Sequence, residues 1–196
     1  MAIIGGKAEQ RVSKILEAAL EVFSRRGYKD AAVDDIATAS ETSKGGVYFH
    51  FPNKQAIFLT LLDQMADLLL SRATKSMEAE LDWPKKGDAA LATMLHTFAG
   101  HRNLTRLFMI EALGAGREFN QKMLEMHAAF TNLIQAYLDE GIASGYIAPL
   151  DTRVASIAWF GAVNEVVTRW ILDENGNKLE DSYPALRDLL RRGIGL

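Results

Sequence analysis

Apolar residues recur at helical spacing in every long segment of this chain, and nowhere do they alternate at the spacing of a strand. Val12, Ile15, Leu16, Ala19, Leu20 and Phe23 fall at i, i+3, i+4, i+7, i+8 and i+11, one stripe of an amphipathic helix that Gly27 closes. A short helix around Val33, Ile36 and Ala37 follows, and Ser40-Glu41-Thr42 breaks it. Ser43 is placed to cap a helix over 44–49 that Pro52 stops, and Asn53 to cap a long helix carrying Phe58, Leu61, Leu62, Met65, Leu68 and Leu69. Pro84 and Gly87 mark 82–87 as a linker. Helices near 88–101 and 103–113 come next, broken around Asn103 and closed by Gly114 and Gly116. A long helix then carries Phe119, Met123, Met126, Phe130, Leu133 and Tyr137 until Gly145 and Pro149. Asp151 caps a near-uniformly apolar helix over 154–172, Asn175-Gly176-Asn177 turns, and Ser182 with Pro184 opens a last helix. The pattern predicts an all-α fold of about nine helices.

The apolar segment 154–172 has the length of a membrane span, yet it contains Glu165 and Arg169. A charge near the bilayer centre costs roughly 2.5–3.5 kcal/mol, so the segment is expected between two protein surfaces and no membrane is expected as a partner. Cysteine is absent, which removes disulfides, thiolate metal sites and cysteine nucleophiles. The first residues carry no apolar run long enough for a signal peptide, and the expectation is a cytoplasmic protein. The net charge is −3, but residues 1–55 hold eight Lys/Arg against seven Asp/Glu. That mild asymmetry permits an amino-terminal module facing phosphate.

Two short helices joined by a brief turn, then a longer helix, is how a helix-turn-helix unit is written. Gly45 and Gly46 sharpen the reading, because adjacent glycines in a short helix cost about 1 kcal/mol each relative to alanine. Either they relieve crowding against the first helix, or they let the backbone approach the major groove closely. Ser43, Lys44, Tyr48, His50 and Lys54 flank them as donors for phosphates or base edges.

Residues 12–61 resemble the TetR family of bacterial transcription regulators. The resemblance is carried by Arg26-Gly27-Tyr28, Val33-Asp34-Asp35-Ile36-Ala37, Ser43-Lys44-Gly45, Val47-Tyr48, His50-Phe51 and Lys54. It implies a helix-turn-helix DNA-binding domain in residues 1–55 and a helical effector-binding and dimerisation domain in 56–196. It also implies a homodimer with recognition helices in successive major grooves of a double-stranded DNA operator. By the same resemblance Lys44 and Gly45 lie nearest the base edges, with Gly46 beside them and Tyr48 on the backbone. Ser43, Phe49, His50 and Lys54 fall on or near phosphates, Phe49 either touching a thymine methyl or sitting exposed. The chain departs from the family at Glu41, Gly46 and Ala32, where many members carry glycine, threonine or a larger polar residue, and threonine, respectively. Glu41 adds a repulsive charge near the duplex, and the other two remove possible phosphate contacts.

Ala158, Gly161, Ala162 and Glu165 form a strip along 154–172 that lets another helix approach closely. With Leu186, Leu189 and Leu190 of the last helix they predict a four-helix dimer interface. The middle helices supply Met94, Phe98, Phe108, Met109, Met123, Met126 and Phe130, with the polar His127 and Asn164. Such a cluster is either core or the wall of a cavity for a hydrophobic small-molecule effector. Catalysis is not expected: no two histidines have metal-ligand spacing, and His96 and His101 lie about 140° apart on a helix. No glycine-rich phosphate loop or nucleophile elbow occurs either, and no cofactor or metal is expected. The favoured reading is a ligand-released repressor; its rival is a dimeric ligand-binding or protein-interaction module that has lost strong DNA binding.

Overall fold

The computed structural model describes residues 4–111, 117–173 and 176–196. Among these every regular element is helical. In order they are α1 (Ile4–Asp30), α2 (Val33–Ala39), α3 (Lys44–His50), α4 (Lys54–Glu78), α5 (Trp83–Gly100), α6 (Arg102–Arg106), a π-helical turn (Leu107–Glu111), α7 (Arg117–Ala143), α8 (Thr152–Leu172), a 3-10 turn (Leu179–Ser182) and α9 (Tyr183–Arg192). The expected closure at Gly114 and Gly116, and the turn residue Asn175, lie outside the described residues.

The stripe on α1 is buried as its spacing requires: Ile15, Leu16, Ala19 and Phe23 are all under 5 % exposed. Gly27 breaks α1 at φ 75°, ψ 164°, a region essentially closed to side-chain-bearing residues, and one more short turn follows. The caps read from sequence form. Ser43 Oγ accepts from Gly46 N–H (3.1 Å), Asn53 Oδ1 from Ala56 N–H (2.8 Å) and Asp151 Oδ1 from Val154 N–H (3.0 Å).

The expected linker over 82–87 is instead the first turn of α5. Asp82 precedes the helix and Pro84 sits in its first turn, where the missing N–H has no helical partner to lose. Gly87 is there for packing: a Cβ on it would lie 2.7 Å from the Tyr137 ring. Likewise the break expected at Asn103 falls at His101, whose φ −124°, ψ 47° is non-helical.

α4 is the spine. Its first half packs on α1 and its second half on α5, so one hydrophobic core runs from Ile15 through Phe58 and Leu95 to Leu190. A second, smaller cluster gathers Trp83, Tyr137, Leu138, Ile147 and Ile194 at the far end. There the Trp83 and Tyr137 rings stack 4.4 Å apart, and Trp83 Nε1 donates to the Tyr137 carbonyl (2.8 Å).

Candidate functional site

α2 and α3 form the first site. α2 ends in a Schellman turn: Thr42 N–H reaches the Ala37 carbonyl (2.9 Å) and Glu41 N–H the Thr38 carbonyl (3.2 Å). Glu41 holds the left-handed position of that turn at φ 53°, the only non-glycine with positive φ among the described residues. Ile36, Ala37 and Val47 are buried between the two helices and fix their angle.

The opposite face of α3 is open. Phe49 is 84 % exposed and Tyr48 44 %, and the Phe49 and His50 rings meet edge to face at 5.0 Å. Nothing lies within 4 Å of a Cβ built on Gly45, so its bare backbone belongs to the outer surface. Gly46 has a different cause. Its Cβ would stand 2.7 Å from the Thr42 methyl, so a side chain there would force the Thr42 side chain to move.

Lys44 is paired with Asp34 of α2 at 2.8 Å, and that hydrogen bond holds its ammonium above the ordinary lysine value. Both partners of this pair are exposed. Lys54 corrects its expected role. Its Nζ donates to the carbonyls of Tyr28 (2.6 Å), Lys29 (3.0 Å) and Ala31 (2.8 Å), which uses all three of its protons. It lies 4.6 Å from the Tyr28 ring centroid as well. Lys54 clamps the end of α1 to α4; it is not a free phosphate donor.

Tyr28 is the centre of a joint between this unit and the remaining helices. Its ring meets Phe58 (4.7 Å) and Phe119 (5.1 Å), and its N–H donates to Glu111 Oε2 (3.2 Å) at the end of the π turn. A Cβ on Gly27 would come within 3.4 Å of the same carboxylate. Gln55 of α4 bonds Glu118 of α7 beside it.

The second site is an apolar channel bounded by α4, α5, α7, α8 and α9, with a cavity volume of about 80 Å³. Met77, Leu91, Met94, Tyr137 and Trp159 supply its walls, and Asp88, Arg187 and Arg191 are its charged lining residues. Arg191 Nη1 lies 3.7 Å from Asp88, while its buried Nε has no hydrogen-bond partner among the described residues. Further in, a smaller cavity of about 10 Å³ is lined by Met94, Phe98, Phe108, Met109, Phe130 and Asn164 among others. The structure thus brings six of the nine proposed ligand residues together around the smaller space. Met123 and Met126 are packed core, and His127 lies against Phe160 (4.8 Å), with burial pushing its imidazole below the ordinary value. None of these three lines either cavity. Tyr137, Trp159, Arg187 and Arg191, which line the larger of the two cavities, are not among the residues expected from sequence. The signal for the arginines was their i, i+4 spacing beside Leu186 and Leu190, which puts both on the edge of a buried face.

On α8 the strip Ala158, Gly161 and Glu165 is exposed, Ala162 half-buried beside it. Val154, Ile157 and Leu172 continue it, each at least half exposed. Leu189 of α9 is 63 % exposed. Leu186 and Leu190 depart from expectation: both are buried in the chain's own core, where they hold α9 against the body of the protein.

Two family models match consecutive stretches of the chain. Residues 15–61 match the model of bacterial regulatory proteins of the tetR family, and residues 62–193 the carboxyl-terminal region of YsiA-like proteins. The chain belongs to the tetR family. It is a ligand-responsive DNA-binding transcriptional regulator. Over 92 % of its length it is 28 % identical to the fatty acid metabolism regulator protein of Bacillus subtilis, spanning 94 % of that protein. The fold is similar to the fatty acid degradation regulator FadR of Bacillus halodurans (TM-score 0.86, 27 % identity, 93 % of this chain and 98 % of that one). FadR of Bacillus subtilis in complex with stearoyl-CoA is similar to the same degree (TM-score 0.86, 28 % identity, the same coverage). These relatives are regulators. No helix among the described residues is long and apolar enough to cross a membrane.

Proposed function

We propose that this regulator is a homodimeric repressor of a palindromic operator and that an acyl thioester of coenzyme A releases it. The observation that carries the reading is the cavity: its walls are mostly apolar, and Arg187 and Arg191 line it beside them, the first paired with Asp188 and the second with Asp88. An acyl chain matches the apolar walls, and an anionic phosphate-bearing head matches the arginines. The stearoyl-CoA complex of the Bacillus subtilis relative supports the same ligand class.

Release follows from the joint around Tyr28. Two recognition helices must sit about 34–36 Å apart to enter successive grooves. A ligand that favours a different setting of the π turn against α1 shifts the population away from that spacing. Ser43, Lys44, Gly45, Gly46, Tyr48, Phe49 and His50 form the DNA-facing surface, and Ala158, Gly161, Ala162, Glu165 and Leu189 the dimer face.

The test begins by selecting duplexes from a random library at moderate salt, with Lys44→Ala/Tyr48→Ala protein as control. An inverted repeat is expected for the parent and not for the double variant. Hexadecanoyl-CoA should then weaken operator binding by about tenfold or more, within the usual range of allosteric coupling. Coenzyme A alone and free hexadecanoate should have little effect. Full operator affinity at saturating hexadecanoyl-CoA would reject the effector; no enrichment even at low salt, after unfolding and refolding to strip bound ligand, would reject the operator reading.

A further inference from the structure

The outer channel and the inner cavity share two lining side chains, Met94 of α5 and Val163 of α8. These two residues are the partition between the spaces. Val163 is β-branched with a stiff χ1, whereas Met94 is unbranched with three rotatable bonds, so Met94 is the member that can move aside. Behind the partition the inner wall includes Phe108 and Met109, consecutive residues of the π turn. That turn ends at Glu111, which accepts the Tyr28 N–H.

We propose that Met94 is a length gate that separates ligand binding from operator release. The inference rests on the acyl thioester reading above. With the head at Arg187 and Arg191, a short acyl chain fills the outer channel and stops at Met94. It binds, but it does not reach the π turn. A longer chain swings Met94 away, enters the space between Phe98 and Phe130, and presses on Phe108 and Met109. Only that chain displaces the segment holding α1. Short-chain acyl-CoAs are therefore occupants that compete with the effector without acting as effectors, and Met94 is the specificity-determining residue.

The test uses the full chain with butanoyl-, octanoyl- and hexadecanoyl-CoA, reading affinity by calorimetry and operator release by fluorescence anisotropy. For the parent, octanoyl-CoA should bind and leave operator affinity within about twofold, while hexadecanoyl-CoA lowers it by about tenfold or more. Octanoyl-CoA should also shift the hexadecanoyl-CoA release curve to higher concentration. Met94→Phe, a stiffer and bulkier gate, should abolish release by hexadecanoyl-CoA and bring its affinity down toward that of octanoyl-CoA. Met94→Ala, an open gate, should move the other way, with release at lower hexadecanoyl-CoA concentration. Thermal melts establish that both variants are folded, and two opposite shifts cannot both come from misfolding. The gate is overturned if octanoyl-CoA releases the operator as completely as hexadecanoyl-CoA, or if both variants keep the parent's length profile. Failure of every acyl-CoA to bind the parent would overturn the effector reading together with the gate, a result distinct from binding with an unchanged length profile.

Discussion

Among the described residues, Schellman turns that end helices of this chain place different residues at the same left-handed position. At the end of α7 the residue is Gly145 (φ 74°), with Tyr146 N–H bonded to the Gly141 carbonyl at 2.9 Å; at the end of α2 it is Glu41 (φ 53°). A side chain in the left-handed region costs roughly 1–2 kcal/mol, partly offset in glycine by its greater chain entropy when unfolded. Glu41→Gly should therefore stabilise the protein by about 0.5–1 kcal/mol, raising the melting temperature by roughly 1–4 °C. The same change removes a carboxylate from the turn beside the DNA-facing helix, so operator affinity should rise, more at low salt than at high. Unchanged melting would show that the turn relaxes around Glu41 at no cost. Ala32 is the complementary case. It has N-cap geometry (φ −109°, ψ 151°) but no side-chain oxygen, and only the return bond from Ala32 N–H to Asp35 (3.2 Å) forms. Ala32→Thr should add about 1 kcal/mol in urea denaturation by supplying the missing acceptor. Glu41 and Ala32 were visible in the sequence as departures from a family pattern. Lys54 was not: a lysine near a recognition helix reads as a phosphate donor, and only the fold shows three carbonyls converging on it.

At the scale of elements, helical periodicity located the helices because each buries one stripe. It failed where a tertiary partner decides the residue. Gly87 and Pro84 read as linker signals, yet Gly87 lies under the Tyr137 ring, and Gly141 meets Trp83, whose ring would stand 2.1 Å from an added Cβ. Gly87→Ala and Gly141→Ala should each cost about 1–3 kcal/mol as overpacking lesions, although alanine is the better helix former. A loss in urea denaturation from Gly141→Ala no larger than a surface substitution would contradict this. The π turn was equally hidden, since a single misfit helical turn leaves no periodic trace; such turns recur at functional sites. Its chemical content is the bond from Tyr28 N–H to Glu111. Glu111→Ala should leave hexadecanoyl-CoA affinity near the parent's while shrinking its effect on operator binding several-fold. Glu111→Gln, which keeps an acceptor oxygen, should restore most of that effect. Equal coupling in all three proteins would place transmission elsewhere, along Gln55 and Glu118 or the Phe58–Phe119 contact.

For the whole molecule the decisive surface is the outer face of α8 together with Leu189 of α9. α8 is apolar on nearly every face, and its inner residues Val163, Val167 and Ile171 are buried in the protomer. Its outer residues Val154, Ile157 and Leu172 stay at least half exposed, and Leu189 of α9 is 63 % exposed. The sequence showed the small-residue strip but not which leucines of α9 face outward, because Leu186, Leu189 and Leu190 share one short helix and its rotation is set by packing. Two α8–α9 pairs brought together would cover these residues, with Gly161 allowing close approach of the backbones. The consequence for DNA is bivalency. In the proposed dimer a protomer would read one half-site, and joining two would convert the second contact into an intramolecular event, raising overall affinity by about 10²–10⁴ without any new contact. Ile157→Asp/Leu189→Asp should therefore sediment as a monomer at concentrations where the parent is a dimer. Its affinity for a full operator should fall by about the same factor, although residues 43–50 are untouched. Its affinity for an isolated half-site should match the parent's, which separates lost pairing from a damaged reading head. A variant that remained dimeric would move the interface off this face, and a monomer that kept full operator affinity would mean that one recognition helix is sufficient.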